Sequence, residues 1–408
     1  MLLYSLIIHL YAFVVDLISP FHKKARLMRL GQWRTNSILR RNIDRSAKYI
    51  WFHASSLGEF EQGRPLIEQI KAEHPEYKVL LTFFSPSGYE VRKNYGGADV
   101  ICYLPFDTPY RVKKFLDLAN PVVAIFIKYE FWANYLTELK RRDIPTYIIS
   151  AIFRRRQVFF KWYGKPYRDV LNSFTRLFVQ DEGSRELLAE YGVTNVSVIG
   201  DTRFDRVLEV QSQARSFPLI ERFAKKDSII LIAGSSWQQD EEIFIDYFNN
   251  HPEVRLIIAP HEIHREHLMS IQAQLRRPFV CFSEATEANI DNKDCIIIDS
   301  FGMLSSIYRY GDIAYIGGGF GAGIHNVLEA AVYGIPVIFG PKYHKFKEAT
   351  DLLAQEGAFT ISDKETFCKT MDHLITSEAA LKAAGDKAGN YVRSNVGVTQ
   401  KILKQLPL

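Results

Sequence analysis

Two acidic residues directly follow apolar strands that the sequence predicts in its first half. Glu59 follows the run Tyr49–His53 and starts an amphipathic helix, and Glu130 follows the run Val122–Ile127. Open α/β sheets bind their ligands beyond the carboxyl ends of the strands, so both side chains are candidates for a reaction cleft. The dipole of a helix start favours an ionised carboxylate, which suits Glu59 to remove a proton from a hydroxyl group. Ordinary helix-start positions would explain both acids equally well, and spacing alone does not separate these interpretations.

A basic residue stands in a comparable position further along the chain. Arg203 follows the predicted strand Ser197–Gly200. A guanidinium group there could counter the negative charge that develops on a departing phosphate. A single arginine more often has a structural role, so Arg203 is a candidate by position alone.

A glycine-rich segment in the second half has the composition of a phosphate-binding turn. Gly317–Gly323 follows a predicted strand and leads into Ile324–Gly334, which has the pattern of a helix ended by glycine. Glycines let a ligand approach the backbone, and the free N–H groups and dipole of a helix start attract phosphate. Asn326 and Glu329 are three residues apart on one helical face, where the acid could accept hydrogen bonds from two ribose hydroxyl groups. The segment therefore predicts a nucleotide site.

The same glycines also fit a dinucleotide-binding pattern. Gly317, Gly319 and Ala322 match G-x-G-x-x-G/A, which is a weak signal by itself. A nicotinamide dinucleotide site predicts an acid about 20 residues further on. The segment after the next strand, Gly340–Lys345, is basic instead. This difference favours a mononucleotide over a dinucleotide.

Other polar residues of the second half follow strands but are not specific by themselves. Gly234–Trp237 and the pair Pro260 and His261 are placed to line a nucleotide pocket. His261, His264 and His267 recur at a spacing of three, which differs from the HExxH zinc motif, so no metal site is predicted. The chain also lacks the GxxxxGK[ST] motif of P-loop nucleotidases.

The elements that must position these residues alternate between strands and helices. The 408 residues exceed the usual size of one hydrophobic core, and the strand runs fall into two series. We therefore predict an α/β fold with two Rossmann-like, doubly wound domains that face a central cleft, at residues 22–205 and 228–408, joined by a linker at 206–227. The predicted strands are Tyr49–His53, Lys78–Phe84, Val100–Leu104, Val122–Ile127, Thr146–Ala151, Leu177–Gln180, Ser197–Gly200, Ile229–Ala233, Arg255–Ala259, Phe279–Phe282, Cys295–Asp299, Ile313–Gly317 and Pro336–Gly340.

The net charge of +5 is unevenly distributed along the chain. Lys and Arg outnumber Asp and Glu by 30 to 21 through residue 205, whereas acids outnumber bases by 25 to 21 in the remainder. The apolar run Leu2–Ile18 is followed by eight Lys or Arg residues and one acid between Lys23 and Arg45. This order predicts that residues 1–21 associate with a membrane and that the basic segment attracts anionic lipid on its cytoplasmic side. A core helix followed by a solvated face is the alternative.

The four cysteines are scattered without a pairing pattern, as expected of buried thiols in a reduced compartment. They are Cys102, Cys281, Cys295 and Cys368.

Five motifs together resemble one known family. They are similar, in order along nearly the whole chain, to signatures of the 3-deoxy-D-manno-oct-2-ulosonic acid (Kdo) transferases: His53–Glu59, Lys128–Trp132, Gly200–Asp205, Gly318–Glu329 and Phe339–Pro341. The resemblance implies a GT-B glycosyltransferase that moves Kdo from CMP-Kdo to a lipid A precursor with inversion, in lipopolysaccharide biosynthesis. It also implies a location at the cytoplasmic face of the inner membrane of a Gram-negative cell. The first domain would then bind the acceptor, and the second would bind CMP-Kdo.

The resemblance also implies roles for individual residues. Glu59 matches the family's general base, and Glu130 and Arg203 fall at positions that stabilise the transition state, although many members have Lys at the position of Arg203. The CMP-contacting positions match Pro260, His261, Phe301, Gly302, Met303, Asn326, Val327, Leu328 and Glu329.

Three positions depart from the family pattern. Met303 stands where many members carry Glu, Pro260-His261 replaces the commoner Pro-Arg, and Lys345-Phe346 replaces Asn-Phe. The second change removes a cation near the nucleotide. CMP-Kdo carries a single phosphate, so a bridging metal is less needed, and we predict no cofactor and no nucleic-acid partner. A GT-B transferase or epimerase that uses a UDP-sugar, and a membrane scaffold that only binds nucleotide, are the alternatives.

Overall fold

The computed structural model describes residues 2–225 and 228–408. They form two compact units: one holds the residues through Arg206 together with Gly397–Leu408, and the other is Val207–Val396. Each unit contains a seven-stranded, fully parallel sheet with helices between successive strands. The predicted α/β fold class with two Rossmann-like units is therefore confirmed.

The first sheet contains all seven strands that the sequence predicts for it. Its spatial order is β3-β2-β1-β4-β5-β6-β7. All five residues of β4 are buried, as expected of a central parallel strand covered on both faces. The strands are β1 Lys48–Ala54, β2 Tyr77–Phe83, β3 Val100–Tyr103, β4 Val123–Ile127, β5 Thr146–Ala151, β6 Arg176–Val179 and β7 Val196–Val198.

The second sheet contains the six predicted strands and one more, Ala358–Thr360. Its spatial order is β10-β11-β9-β8-β12-β13-β14. The strands are β8 Ile229–Ser236, β9 Val254–Pro260, β10 Phe279–Cys281, β11 Cys295–Ile297, β12 Ile313–Ile316, β13 Val337–Phe339 and β14 Ala358–Thr360.

Helices flank both sheets. The first ten are α1 Leu2–Ile18, α2 Lys23–Asn42, α3 Leu57–Glu73, α4 Pro86–Arg92, α5 Pro109–Ala119, α6 Ala133–Arg141, α7 Lys165–Leu171, α8 Glu182–Glu190, α9 Arg203–Ser212 and α10 Pro218–Ala224. The others are α11 Gln238–Asn250, α12 Arg265–Gln274, α13 Leu304–Ile307, α14 Leu328–Ala331, α15 Lys347–Ala354, α16 Lys364–Thr376, α17 Glu378–Ser394 and α18 Val398–Leu403. Short 3-10 turns occur at Val158–Phe160, Phe282–Glu284, Ile290–Asn292 and Tyr308–Tyr310.

The structure differs from the predicted boundaries at two places. The predicted linker 206–227 carries α10 and most of α9, and its last two residues lie outside the described residues. The last twelve residues belong to the first unit rather than to the predicted second domain. The Asp205 carboxylate holds them there by accepting hydrogen bonds from the N–H groups of Gly397 and Thr399, both at 2.6 Å. Val398 and Ile402 pack into the first unit's core.

The strand order places a reversal of winding near the middle of each sheet. Connections run outward in one direction from β1 and in the other from β4, and the second sheet reverses in the same way between β8 and β12. Parallel α/β sheets bind ligands beyond the carboxyl ends of the strands that flank such a reversal. The segments after β1, β4, β8 and β12 are therefore the first places to look for a site.

The helix α1 is exposed over most of its surface. Only Ala12 and Val15 are buried in it. In the described part of the chain no single helix has both the length and the hydropathy to cross a bilayer; α1 and α2 meet those criteria only as a pair, with a 116° bend between them. Residue 1 of the predicted membrane segment lies outside the described residues.

Candidate active site

Glu59 lies in the first turn of α3, just beyond the carboxyl end of β1. Its Oε2 atom accepts hydrogen bonds from the Ser56 N–H at 2.8 Å and from the Ser56 hydroxyl at 3.0 Å. The helix-start interpretation of this residue is thus correct, because these contacts belong to a capping box. They bind only one carboxylate oxygen, and Oε1 has no hydrogen-bond partner among the described residues. The cap fixes the orientation of a half-buried carboxylate and leaves its second oxygen available to a substrate.

Glu130 lies beyond the carboxyl end of β4, the strand next to β1. Its Oε2 atom lies 2.9 Å from His53 Nε2 and accepts the Trp132 indole N–H at 2.5 Å. An ionised carboxylate only accepts hydrogen bonds, so His53 donates from Nε2. On the other side of the ring, Nδ1 lies 2.9 Å from the hydroxyl of Thr82. Glu130 is therefore a buried carboxylate that neighbouring side chains hold in place.

Glu59 and Glu130 influence each other electrostatically. Burial raises the pKa of Glu59 above its ordinary value, and the negative charge of Glu130 raises it further. The hydrogen bonds from Ser56 and the proximity of His53 act in the opposite direction. The two acids that the sequence predicted separately therefore belong to one cluster at the reversal between β1 and β4. A carboxylate with a raised pKa is a stronger base once it is ionised.

This coupling predicts how the pH dependence of turnover responds to a change at Glu130. The role of general base that we predict for Glu59 requires its deprotonated form, so we expect activity to fall on the acid side as pH drops through the pKa of Glu59. Glu130→Gln removes the negative charge that raises this pKa, so the acid limb of the kcat profile is expected to move to lower pH. The measurement is residual kcat against pH for the variant and the wild-type chain.

Glu76→Gln is the matched control for this experiment, because it removes an exposed acid of the same unit. Its acid limb is expected to stay in place. An unshifted limb in Glu130→Gln would contradict the coupling between the two acids.

Arg203 begins α9 and is paired with a neighbouring acid. Its Nε donates to Asp201 Oδ2 at 2.8 Å, and its backbone N–H donates to Asp201 Oδ1 at 2.9 Å. Burial raises the pKa of Tyr129, while the charges of Arg154 and Arg203 oppose this rise. Arg203 therefore lies on the same edge of the sheet as Glu130, the residue after Tyr129. Its pairing with Asp201 fixes the guanidinium group and offsets part of its charge.

The glycine-rich segment after β12 forms a compact turn that approaches two neighbouring backbones. A Cβ atom on Gly319 would lie 2.6 Å from the Cα of Gly340, so only glycine permits this contact. Gly318 has a φ of +90°, which also favours glycine. The glycines do allow other groups to approach the backbone closely, as predicted. In this structure those groups are the backbones of β8 and of the segment after β13.

The long helix predicted to begin after the glycine turn is not present. The only helix in Ile324–Gly334 is the four-residue α14, which is too short for a substantial dipole. Several N–H groups of the turn already donate within the protein, including that of Gly318 to Asp240 Oδ2 at 2.9 Å and that of His325 to the Gly317 carbonyl at 3.1 Å. Local hydrogen bonding of the turn thus replaces the helix that its pattern predicted.

Asp240 fixes this turn through hydrogen bonds to its carboxylate. Its buried carboxylate accepts the Gly318 and Trp237 N–H groups at Oδ2 and the Tyr315 hydroxyl at Oδ1, at 2.8–3.0 Å. Burial raises the pKa of Asp240, and these hydrogen bonds oppose the rise. Sequence reasoning missed this residue, which joins the segment after β8 to the segment after β12.

Three aromatic rings stack beside the glycine turn. The His261 ring lies 4.6 Å from the Trp237 ring and 4.5 Å from the His325 ring, in nearly parallel planes. The Trp237 indole N–H donates to His325 Nε2 at 3.2 Å, which requires that nitrogen to be unprotonated. Burial, and then the proximity of His261, lowers the pKa of His325, which agrees with that donor geometry. The stack joins the predicted residue His261 to the glycine turn.

The segment from Asn326 to Glu329 follows this stack. Asn326 donates from Nδ2 to Glu329 Oε1 at 3.0 Å and accepts the Leu328 N–H at 3.2 Å. Burial raises the pKa of Tyr308, and the charge of Glu329 raises it further, so the two side chains are neighbours. Val327 and Leu328 are fully buried, so only their backbone groups could contact a ligand.

The other predicted nucleotide-binding residues are more dispersed. Pro260 is buried at the end of β9, whereas Phe301 is one of the most exposed aromatic residues of the unit. Gly302 has a φ of +79°, and its carbonyl accepts a hydrogen bond from Arg215 at 2.9 Å. Met303 is buried, and its sulfur accepts the Ser300 hydroxyl at 2.9 Å. In this structure His261 and Asn326–Glu329 meet around the glycine turn, whereas Phe301 contributes an exposed ring.

The histidines after β9 have separate structural partners. His267 lies 2.9 Å from the buried carboxylate of Glu241, and His264 accepts a hydrogen bond from the first turn of α12. Among residues 2–225 and 228–408, no group of three or more His, Cys, Asp or Glu side chains is arranged to hold a metal ion.

Comparison with known proteins agrees with the family resemblance of the sequence. The family model described as 3-deoxy-D-manno-octulosonic-acid transferase (kdotransferase) matches residues 25–206. The transferase of this name from Aquifex aeolicus is 28% identical over 82% of this chain and 88% of its own length. The one from Haemophilus influenzae is 26% identical over 88% of this chain and 86% of its own length.

Solved structures share the fold at lower sequence identity. The UDP-GlcNAc 2-epimerase of Neisseria meningitidis, bound to UDP-GlcNAc, superposes with a TM-score of 0.61 at 15% identity, over 86% of this chain and all of the epimerase. The S. aureus protein MnaA, in complex with UDP, gives a TM-score of 0.58 at 11% identity, over 88% of this chain and 98% of its own. At these sequence identities the similarity shows a shared fold alone.

The fold and these matches together support a glycosyltransferase of the GT-B type. The matches to the family model and to the curated transferases support a 3-deoxy-D-manno-octulosonic acid (Kdo) transferase.

Proposed function

We propose that this chain transfers Kdo from CMP-Kdo to a lipid A precursor of the lipid IVA type, with inversion at the anomeric carbon, in lipopolysaccharide biosynthesis. The observation that carries the proposal is the acid cluster between β1 and β4. There Glu59 has one oxygen fixed by Ser56 and a second oxygen without a partner among the described residues, and burial and the charge of Glu130 raise its pKa. Similarity to the Kdo transferases supports the choice of sugar.

In the proposed reaction Glu59 acts as the general base. Its free oxygen removes the proton from a sugar hydroxyl of the acceptor, and the resulting oxygen nucleophile attacks the anomeric carbon of Kdo. The bond between that carbon and the phosphate oxygen breaks, and CMP leaves with the electron pair. The new glycosidic bond forms on the opposite face, so the configuration inverts. The proton on Glu59 then passes to solvent.

Glu130 and Arg203 would stabilise the charges that develop during transfer. Positive charge spreads over the sugar ring in an oxocarbenium-like state, which a fixed carboxylate such as Glu130 stabilises. The departing phosphate becomes more negative, which favours contact with a guanidinium group such as that of Arg203. His53 and Asp201 hold these two side chains in place through the contacts described above.

We assign donor binding to the second unit. The carboxylate of Glu329 can accept hydrogen bonds from ribose hydroxyl groups, and the buried Val327 and Leu328 can offer backbone groups. The exposed face of the ring stack that contains His261 suits a planar base. Here imidazole rings take the place of the arginine that is common in the family at this point.

This assignment predicts a selective loss of donor affinity in Glu329→Ala. Loss of hydrogen bonds to a charged group costs about 1.5–3 kcal/mol, so Kd for CMP is expected to rise roughly 10- to 150-fold. Calorimetric titration with CMP measures this change. Glu365→Ala, an exposed acid at the start of α16, is the matched control and should bind normally. Unchanged affinity in Glu329→Ala would refute the ribose assignment.

We also propose that the first unit works on the cytoplasmic face of the inner membrane. Leu2, Leu6, Leu10, Phe13 and Leu17 recur every three or four residues along α1 and are between 62% and 91% exposed. Such a stripe is typical of a helix that lies in the membrane interface. The adjoining α2 carries basic residues and no acid, which favours anionic lipid as a second attachment.

Nucleotide selectivity tests the proposal against the alternative donor. The purified chain is incubated with lipid acceptor and either CMP-Kdo or UDP-GlcNAc, and the released nucleotide is quantified. The proposal predicts CMP release that depends on the acceptor and protection against thermal unfolding by CMP but not by UDP. Release or conversion with UDP-GlcNAc alone would favour a UDP-sugar transferase or epimerase.

A further inference from the structure

The first unit contains a cavity whose lining does not include the acid cluster. It has a volume of about 210 Å³ and lies between α2 and the segment that leads from β3 into α5. Drug-sized ligands occupy cavities of roughly 300–1,000 Å³, so this one suits a small group rather than a whole nucleotide. Its lining residues are Gln32, Trp33, Asn36, Pro105, Tyr110, Arg111 and Lys114.

A buried side chain of this cavity has an unsatisfied hydrogen-bond donor. Gln32 is 5% exposed, and its Oε1 accepts the Phe106 N–H at 3.2 Å. That contact fixes the orientation of the amide, because a backbone N–H can only donate. Its Nε2 group is then a buried donor with no partner among the described residues. Such a group costs about 1–3 kcal/mol, and an acceptor in the cavity would offset this cost.

Two basic residues of the lining also lack an acidic partner. In the described residues Arg111 and Lys114 form no ion pair, and each instead lies over an aromatic ring, those of Phe106 and Tyr110. On the neighbouring α6, by contrast, Arg141 is bound to the carboxylate of Glu138. The cavity therefore combines uncompensated positive charge with a buried donor, which is the chemistry that recognises an anion such as phosphate.

The surroundings of the cavity indicate that the anion belongs to a lipid. Trp33 and Tyr110 are 58% and 74% exposed at its rim, and such amphipathic rings favour the membrane interface. The segment between β3 and α5, which lines the cavity, also contacts α1. The Tyr4 hydroxyl donates to Asp107 at 2.7 Å, and Tyr11 packs against Phe106. The exposed apolar stripe of α1 and the cavity are thus attached to one stretch of backbone.

We propose that this cavity binds the phosphate group of an anionic membrane lipid, and so holds the first unit at a bilayer in a defined orientation. The proposal rests on the proposed membrane association and is independent of the transfer reaction. Arg111 and Lys114 neutralise the phosphate, Gln32 Nε2 donates to one of its oxygens, and Trp33 and Tyr110 contact the adjoining glycerol or sugar.

Vesicle flotation of the full chain tests this site without any nucleotide. The probes are phosphatidylcholine vesicles with and without phosphatidic acid. Arg111→Gln with Lys114→Gln removes two charges from the cavity, and Arg40→Gln with Arg41→Gln removes two exposed charges elsewhere on α2. General surface attraction of about fivefold per charge allows at most a roughly thirtyfold weaker binding to the acidic vesicles for the control pair. A site predicts a loss about tenfold larger than that for the cavity pair, because direct contacts to the phosphate are lost as well. Equal losses would show that only general surface charge acts and would overturn the proposal.

Gln32→Glu provides a second test that preserves the hydrogen bond from the Phe106 N–H. Glutamate keeps the oxygen that accepts the Phe106 N–H and replaces the free donor with a negatively charged oxygen. We expect at least tenfold weaker binding, against about fivefold for Arg40→Gln, which changes the net charge equally. Binding no weaker than in Arg40→Gln would also overturn the proposal.

The source of the phosphate is distinguished by two further measurements. If a bilayer phospholipid occupies the cavity, the variants lose vesicle binding but keep the KM for a detergent-dispersed acceptor. If the phosphorylated acceptor occupies it, that KM rises in the cavity variants and not in the α2 control. Displacement of the wild-type chain from acidic vesicles by inorganic phosphate, but not by chloride at equal ionic strength, would support recognition of the phosphate itself; equal displacement by the two salts would contradict it.

Discussion

Glu59→Gln is expected to lower kcat for Kdo transfer by about 10²- to 10⁴-fold, which is the usual contribution of a general base. Glutamine keeps an oxygen that can accept the two hydrogen bonds from Ser56, so the start of α3 should be preserved. The amide cannot take the acceptor's proton at neutral pH. Affinity for CMP should stay within a factor of about two, because the change leaves the second unit intact. Single-turnover kinetics and calorimetric titration measure the two effects separately.

Glu73→Gln is the matched control for this prediction. It makes the same chemical change at the exposed end of the same helix and should leave kcat unchanged. If Glu59→Gln kept more than a tenth of wild-type turnover, Glu59 would be only a capping residue and another group would have to act as the base.

Asp240→Ala should have the largest effect on the second unit. The substitution leaves three donors without an acceptor: the N–H groups of Trp237 and Gly318 and the hydroxyl of Tyr315. Each unsatisfied buried donor costs about 1–3 kcal/mol, so the free energy of unfolding should fall by roughly 3–5 kcal/mol. Donor affinity should fall as well, because the glycine turn loses its support. Urea denaturation and titration with CMP measure the two losses.

Asp240→Asn separates the geometry of this carboxylate from its charge. The amide oxygen can accept both N–H groups at the position of Oδ2, and the amide nitrogen can donate to the Tyr315 oxygen. We therefore expect Asp240→Asn to cost less than half as much stability as Asp240→Ala. Equal destabilisation by both variants would mean that the negative charge, rather than the hydrogen-bond geometry, holds the turn.

The strands were predictable because a buried parallel strand is nearly continuous in apolar residues. Thirteen of the fourteen strands in the described residues were predicted, and the missed strand, β14, is three residues long with only Ala358 fully buried. The helix predicted over Ile324–Gly334 was largely wrong, since periodic apolar residues there pack as a turn instead. The last twelve residues were predicted in the second domain but belong to the first unit. Their contact with Asp205 joins residues more than 190 positions apart, so no local pattern indicates it.

The positions of the candidate site residues followed from topology, whereas their partners did not. Residues after β1, β4, β8 and β12 could be selected by the rule that ligands bind at carboxyl ends of parallel strands. The contact of His53 with Glu130 joins residues 77 positions apart and depends on side-chain geometry. The role of Asp240 likewise depends on a turn 78 residues away. The one local signal for Asp240 was its place at the start of α11, in Trp237-Gln-Gln-Asp240, where an acid has the spacing of a capping box.

Mass spectrometry of the lipid product tests the central claim most directly. The full chain is incubated with CMP-Kdo and a tetraacylated lipid A precursor, with Glu59→Gln in parallel. The account predicts that the wild-type chain adds Kdo to the precursor and releases one CMP per sugar transferred, and that the variant forms almost no product. An unmodified precursor in the presence of bound CMP-Kdo, or equal product from both chains, would contradict it.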